Sequence, residues 1–218
     1  MSFAVYPSEV DAYVRNVLFA LELLDPATLA PVSDGITVRA SGLVGRPIRN
    51  CGGQFVWLDE KNAVPQRVSI DPGTLPFDSE DLPAPLPPAR VLRVLLRPKP
   101  GYAVPGGVTA VSSSLYEHAQ PAPPLPVADA DVWLQWKDAS GGANGPWRDA
   151  APKSRSAASG DFVALMRPDA SRVPELDATG RVRVRLCFER PNLARVSPDL
   201  FLPQGRKADL AAFAWDQL

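Results

Sequence analysis

Gly53-Gln54-Phe55-Val56-Trp57-Leu58 and Gly160-Asp161-Phe162-Val163-Ala164-Leu165 nearly repeat each other about half the chain apart. Each places a glycine ahead of an apolar run led by an aromatic, the composition of a turn feeding a short strand. Further pieces keep the same order around both copies. Phe19-Ala20-Leu21-Glu22-Leu23-Leu24-Asp25 precedes the first and Val132-Trp133-Leu134-Gln135-Trp136-Lys137-Asp138 the second. Arg90-Val91-Leu92-Arg93-Val94-Leu95-Leu96-Arg97-Pro98 follows the first, and Arg181-Val182-Arg183-Val184-Arg185-Leu186-Cys187-Phe188 follows the second, with Arg190-Pro191 just after. Each half then passes a Pro-x-Gly turn, Pro105-Gly106-Gly107 or Pro203-Gln204-Gly205, and closes on Tyr116-Glu117 or Trp215-Asp216. Any one match is short enough to arise by chance; their shared order points to a duplication.

Composition agrees with two small domains. A chain of 218 residues divides into two units of about 100 residues, each large enough to fold on its own core. Its 25 prolines are about twice the roughly 5% usual in globular proteins and disfavour long helices. With Lys plus Arg at 23 and Asp plus Glu at 24, no global field exists to hold nucleic acid or an anionic membrane. Cys51 and Cys187 are too few for a secreted disulfide scaffold and are expected to be free thiols. The first residues lack a basic segment followed by a long apolar one, and no stretch of about 20 apolar residues occurs. The expected location is the cytoplasm, with incorporation into a particle as a route out of it.

Strands separated by turns are expected through the first half. Val17–Leu24 is bounded by Asp25-Pro26; Ile36-Thr37-Val38-Arg39-Ala40 is β-branched; 55–58, 66–70 and 90–97 follow. In the last of these Val91, Arg93, Leu95 and Arg97 alternate with Leu92, Val94 and Leu96. Residues 8–24 stay open between two readings. Val10, Tyr13, Val14, Val17, Leu18 and Leu21 recur at helical spacing, with Ser8 and Asp11 placed to cap, whereas Val17, Phe19, Leu21 and Leu23 alternate. The strand, from near Arg15, is preferred because its pattern recurs around Val132 without a helical alternative. The same comparison makes 208–215 a closing strand, although Leu210, Phe213 and Ala214 suit a short helix.

The expected organisation is therefore all-β: two tandem Ig-like, transthyretin-like β-sandwich domains at 1–118 and 130–218, joined by a proline-rich linker at 119–129. Prolines at that density favour extended polyproline II, a semi-rigid spacer. Residues 71–89 form a proline-rich insertion in the first domain. Its length and composition are those of an extended binding arm, with Leu82 and Leu86 as its apolar contacts.

Leu23-Leu24-Asp25, Thr28, Pro31, Asp34-Gly35-Ile36-Thr37-Val38 and Gly53-Gln54-Phe55 together resemble the carboxypeptidase regulatory-like (transthyretin-like) β-sandwich. That family runs strand, Asp-turn with Thr and Pro, Gly, strand, and a Gly-x-Phe strand start. The resemblance covers about residues 15–115 and, more weakly, 130–218. The insertion at 71–89 departs from it, and the second half lacks the turn pattern after Asp138. It implies accessory and assembly domains without catalytic residues of their own.

The chemical candidates are sparse. His118 is the one histidine and lies beside the proline-rich segment, a poor seat for the base of a nucleophilic triad. Two cysteines and one histidine fall short of a closed zinc set. Asp59-Glu60, Glu80-Asp81 and Asp129 with Asp131 lack calcium-loop spacing. Gly141-Gly142-Ala143-Asn144-Gly145 lacks the Lys-Ser/Thr ending of a phosphate cradle and reads as a hairpin loop. No cofactor or metal is expected. Arg181, Arg183 and Arg185 alternate on one face of a strand, a solvated face by default and a docking face for an acidic protein as the sharper reading. Trp57 and Trp133 are expected in the core. Trp147, in Asn144-Gly145-Pro146-Trp147-Arg148, is a candidate interface anchor or sugar platform. The expectation is a non-enzymatic structural or adaptor protein working through protein contacts, homo- or hetero-oligomeric, within a larger assembly such as a virion or phage-tail-like particle. The alternative is a carbohydrate- or ligand-binding accessory module using exposed aromatics.

Overall fold

A computed structural model describes residues 17–58, 64–83, 91–119, 124–140, 145–168 and 171–218. The protein is all-β, with no α-helix among the described residues. Its strands in chain order are β1 (Val17–Leu24), β2 (Thr37–Ser41), β3 (Ile48–Arg49), β4 (Phe55–Leu58), β5 (Arg67–Asp71), β6 (Glu80–Pro83), β7 (Val91–Leu95) and β8 (Thr109–Tyr116). They continue as β9 (Asp131–Lys137), β10 (Trp147–Asp149), β11 (Ser154–Arg155), β12 (Asp161–Met166), β13 (Arg181–Arg190), β14 (Leu193–Val196), β15 (Leu200–Pro203), β16 (Lys207–Asp209) and β17 (Phe213–Ala214). The open question over the N-terminal run is answered within the described residues: Val17–Leu24 is a strand. Its earlier part, and Ser8 with Asp11, lie outside them.

Two hydrophobic cores result. The first gathers Phe19, Leu21 and Leu23 of β1, Phe55 and Trp57 of β4, Val38 of β2, and Val68 and Ile70 of β5. These strands belong to two sheets, ordered β3-β4-β1-β7 and β2-β5-β6, and alternation turns every second residue inward. Asp25 closes β1 as the pattern predicts: its carboxylate accepts the Ala27 and Thr28 amides and the Tyr102 hydroxyl. The second core gathers Val132, Leu134 and Trp136 of β9, Val182, Val184, Leu186 and Phe188 of β13, and Phe162, Ala164 and Met166 of β12.

The two cores share a sheet. β8 pairs antiparallel with β12 and parallel with β16. Phe162, Ala164 and Met166, with Val111 and Leu115 of β8, face the second core; Val163, Leu165 and Ala110 face the first. The sheet is thus buried on both faces, which explains the unbroken apolar run Phe162-Val163-Ala164-Leu165-Met166. β8 precedes the expected linker in sequence, yet its strand partners follow it. A division at 119–129 therefore cuts through a hydrogen-bonded sheet.

The described residues at the end of the expected spacer pair with β8 instead. Glu117 and Leu125 are backbone hydrogen-bonded, Tyr116 and Pro126 form a bridge, and the Val127 amide donates to the Leu115 carbonyl, burying Val127. The insertion is likewise no free arm among its described residues. Phe77 is buried in the first core, and Glu80–Pro83 pairs with β5 as β6. The expected closing strand at 208–215 is broken into β16, β17 and a 3-10 turn at Trp215–Gln217, because Trp215 leaves the sheet line to enter the second core.

The repeated Gly-x-Phe segments do not occupy equivalent places. β4 pairs with β1, whereas β12 pairs with β8; β7 runs parallel to β1, whereas β13 runs antiparallel to β9. Like segments occupy unlike places. What they share is local: Gly53 and Gly160 both hold positive φ, and Phe55 and Phe162 take the first inward position after them. A side chain at Gly160 would sit 2.5 Å from the Leu115 carbonyl oxygen, so only glycine closes that turn.

Candidate interaction surface

The outer face of the sheet built from β10, β9, β13 and β15 collects most of the residues singled out from sequence. Alternation sets Val132, Leu134 and Trp136 inward on β9, which turns Trp133, Gln135 and Lys137 outward. Trp133 is therefore half-buried on the outer face and not in the core; its place is taken by Trp136. Trp57 is buried as expected.

Register then brings partners together. Trp147 lies opposite Lys137, Arg185 opposite Gln135, and Arg183 opposite Phe201. The Arg185 guanidinium sits 4.4 Å over the Trp147 ring, with Lys137 at 5.4 Å and Arg183 at 6.0 Å. Arg185 also donates through Nε to Gln135 Oε1 at 2.6 Å. Gln135 and the Trp133 indole both donate to Asp149 Oδ1 at 2.7 Å, and the Lys153 ammonium stands 4.0 Å over Trp133. Such stacked cations are held by the ring quadrupole. The result is a flat ladder of alternating rings and cations with its polar atoms engaged.

The arginine ladder meets acids of its own chain. Arg181 pairs with Asp177 at 2.8 Å and covers the Phe201 ring, while Arg183 pairs with Asp199 at 2.5 Å and Glu175 at 3.5 Å. The Asp177 carboxyl is held well below the usual range, first by the Arg181 amide it accepts. Arg185 alone of the three has no carboxylate among the described residues. Two of the three arginines are thus neutralised by acids of their own chain, which leaves Arg185 as the ladder cation open to an acidic partner. A cation also stacks on each of the two indoles, Arg185 on Trp147 and Lys153 on Trp133.

Leu82 lies elsewhere. It is half-buried on β6 and lines a groove of about 530 Å³ with Leu92, Val94, Pro152 and Lys153. Lys153 is the residue common to this groove and the ladder. Leu86 lies outside the described residues, as do Asp59, Glu60 and most of the glycine-rich loop. Sequence reasoning missed Lys137, Lys153 and Phe201, the last 43% exposed. For Trp133 and Lys137 the signal was present in the alternation with Val132, Leu134 and Trp136.

Between the lobes lies a charged seam. Arg97 bridges Glu80 at 3.6 Å and Asp131 at 2.8 Å. Burial, opposed by Arg97 and Arg155, raises the carboxyls of Asp78 and Glu80 above their ordinary values. Arg167 at the end of β12 donates to the Ala27 carbonyl of the first lobe at 2.9 Å. His118 bonds Asp216 through Nδ1 at 3.2 Å, and no hydroxyl or thiol among the described residues is bonded to it. No group of three or more His, Cys, Asp or Glu side chains among the described residues is arranged to hold a metal ion. Cys51 is an exposed free thiol and Cys187 a buried one, raised to about 11 by burial. No helix among the described residues is long and apolar enough to cross a membrane. No family model matches the chain, and neither the curated proteins nor the solved structures offer a match.

Proposed function

We propose that the protein is a non-enzymatic structural or adaptor component that contacts protein partners in a larger assembly. The observation that carries this reading is the sheet shared by the two cores. Independent modules on a spacer swing; two lobes with a common buried sheet present their outer faces at a set angle, which an assembly component needs. The ring-and-cation face serves that role: rigid, aromatic, and already relieved of conformational entropy by its internal contacts. Ig-like sandwiches of the carboxypeptidase regulatory-like kind belong to the same proposal. The Asx turns at Asp25 and Asp138 support them, and the unlike places of β4 and β12 count against a simple duplication.

Light scattering coupled to size exclusion, on the protein isolated natively, tests the assembly role. A particle or stoichiometric complex well above the 23.4 kDa of one chain is expected. Phe201→Asp, at an exposed edge position, should release the partner and leave the melting temperature unchanged. A monodisperse monomer with no co-purifying partner refutes the proposal.

A further inference from the structure

The first lobe carries a groove of about 570 Å³ lined by residues 36–40, the loop Gly45-Arg46-Pro47, Arg49 and Phe55. Consecutive strand residues point to opposite faces, so a groove touched by all of 36–40 runs along the edge of β2 and not over either face. That edge is open: β2 is terminal in its sheet and pairs only with β5 among the described residues. β3, terminal in the facing sheet, forms the opposite wall. Proline interrupts or flanks several of the other terminal strands, with Pro47 before β3, Pro83 in β6, Pro152 between β10 and β11, and Pro198 between β14 and β15. Proline withholds the donor that a further strand would need. β2 has none within or beside it.

The groove is also basic. Arg39, Arg46 and Arg49 line it. Arg49 pairs with Asp34, an exposed side chain, and neither the Arg39 nor the Arg46 side chain has a hydrogen-bond or ion-pair partner among the described residues. On β2 the buried Val38 and half-buried Ala40 face inward, while Thr37, Arg39 and Ser41 face out. An added strand would alternate in step, its inward residues meeting Val38 and Phe55 and its outward ones meeting Arg39.

We infer that this groove receives an extended acidic segment of a protein partner, which adds a strand to the free edge of β2. Main-chain hydrogen bonds to β2 hold the segment, and the two alternating faces select its sequence. The fitting pattern is a carboxylate at every second position with a β-branched apolar residue between. The inference extends the assembly reading to a second surface and to a defined partner chemistry.

Fluorescence anisotropy with the full chain tests it, using a labelled Val-Glu alternating octapeptide, its Val-Lys counterpart and a labelled oligothymidylate. The acidic peptide should bind, weaken with added salt, and lose affinity by about tenfold or more with Arg39→Glu plus Arg46→Glu. The double variant should in turn take up the Val-Lys peptide. N-methylation of alternate amides of the acidic peptide should abolish binding in one parity and spare it in the other, a readout that needs no variant to fold. No binding at millimolar peptide, equal binding of acidic and basic peptides, indifference to N-methylation, or binding of the oligonucleotide in the peptide's stead would each overturn the inference. A native monomer that still binds the acidic peptide would refute the assembly role and keep this site; an assembly blind to the peptide would do the reverse.

Discussion

Leu165→Ala probes the shared sheet directly. Leu165 is 1% exposed and points from β12 into the first core, while its neighbours Ala164 and Met166 point into the second. Truncating a fully buried leucine costs about 2–5 kcal/mol, transfer and cavity together. If the lobes unfold as one unit of this length, about 3 kcal/mol lowers the midpoint by about 6–12 °C, at the roughly 2–4 °C per kcal/mol typical of domains this size. If they unfold separately, the same loss falls on a lobe of about 100 residues and lowers its midpoint by about 12–24 °C, leaving the other lobe alone. Hydrogen exchange read by mass spectrometry along a thermal series separates the cases by following β5 in the first lobe and β13 in the second. We expect both to shift together by the smaller amount, and Phe162→Leu on the opposite face to move both as well. A large shift in β5 with β13 unmoved would refute the shared-sheet reasoning.

Two further outcomes follow from the buried titratable groups. Because burial raises the Glu80 carboxyl, the folded state holds its proton more tightly than the unfolded chain. The associated stability is present at low pH and lost as pH rises from the ordinary value through the raised one. Glu80→Gln should therefore gain stability relative to wild type as pH rises from the ordinary carboxyl range upward in urea titrations, with Arg97 retaining Asp131; a pH-independent difference would contradict the burial argument. Cys51 is exposed and Cys187 is buried with its thiol raised, so a thiol reagent at neutral pH should label one cysteine rapidly in the native protein and the second only on unfolding.

Strand formation was readable because it is local. The run Val17–Leu24, the β-branched stretch at β2, and the Gly-x-Phe starts of β4 and β12 each declare themselves through propensity, alternation and a glycine at positive φ. The same locality misled where like segments stood for like places, since a glycine turn and an inward phenylalanine serve any strand start. Trp133 shows the finer limit: its outward position followed from alternation along β9, but its cover by Lys153 required β11 to bring that lysine alongside.

The sequence by itself determined an all-β chain, its two free thiols, the absence of a net field, and the alternation along some of its strands. Only the tertiary structure decided that β8 crosses over to pair with β12 and β16, that one sheet serves two cores, and that Trp147 meets Arg185. The reason is physical. A residue's backbone conformation and inward or outward turn depend on neighbours within a few positions, whereas a strand's choice of partner depends on which distant edge it can bury against. The continuous apolar run of β12 fits burial on both faces, and which two cores bury them was settled by the fold.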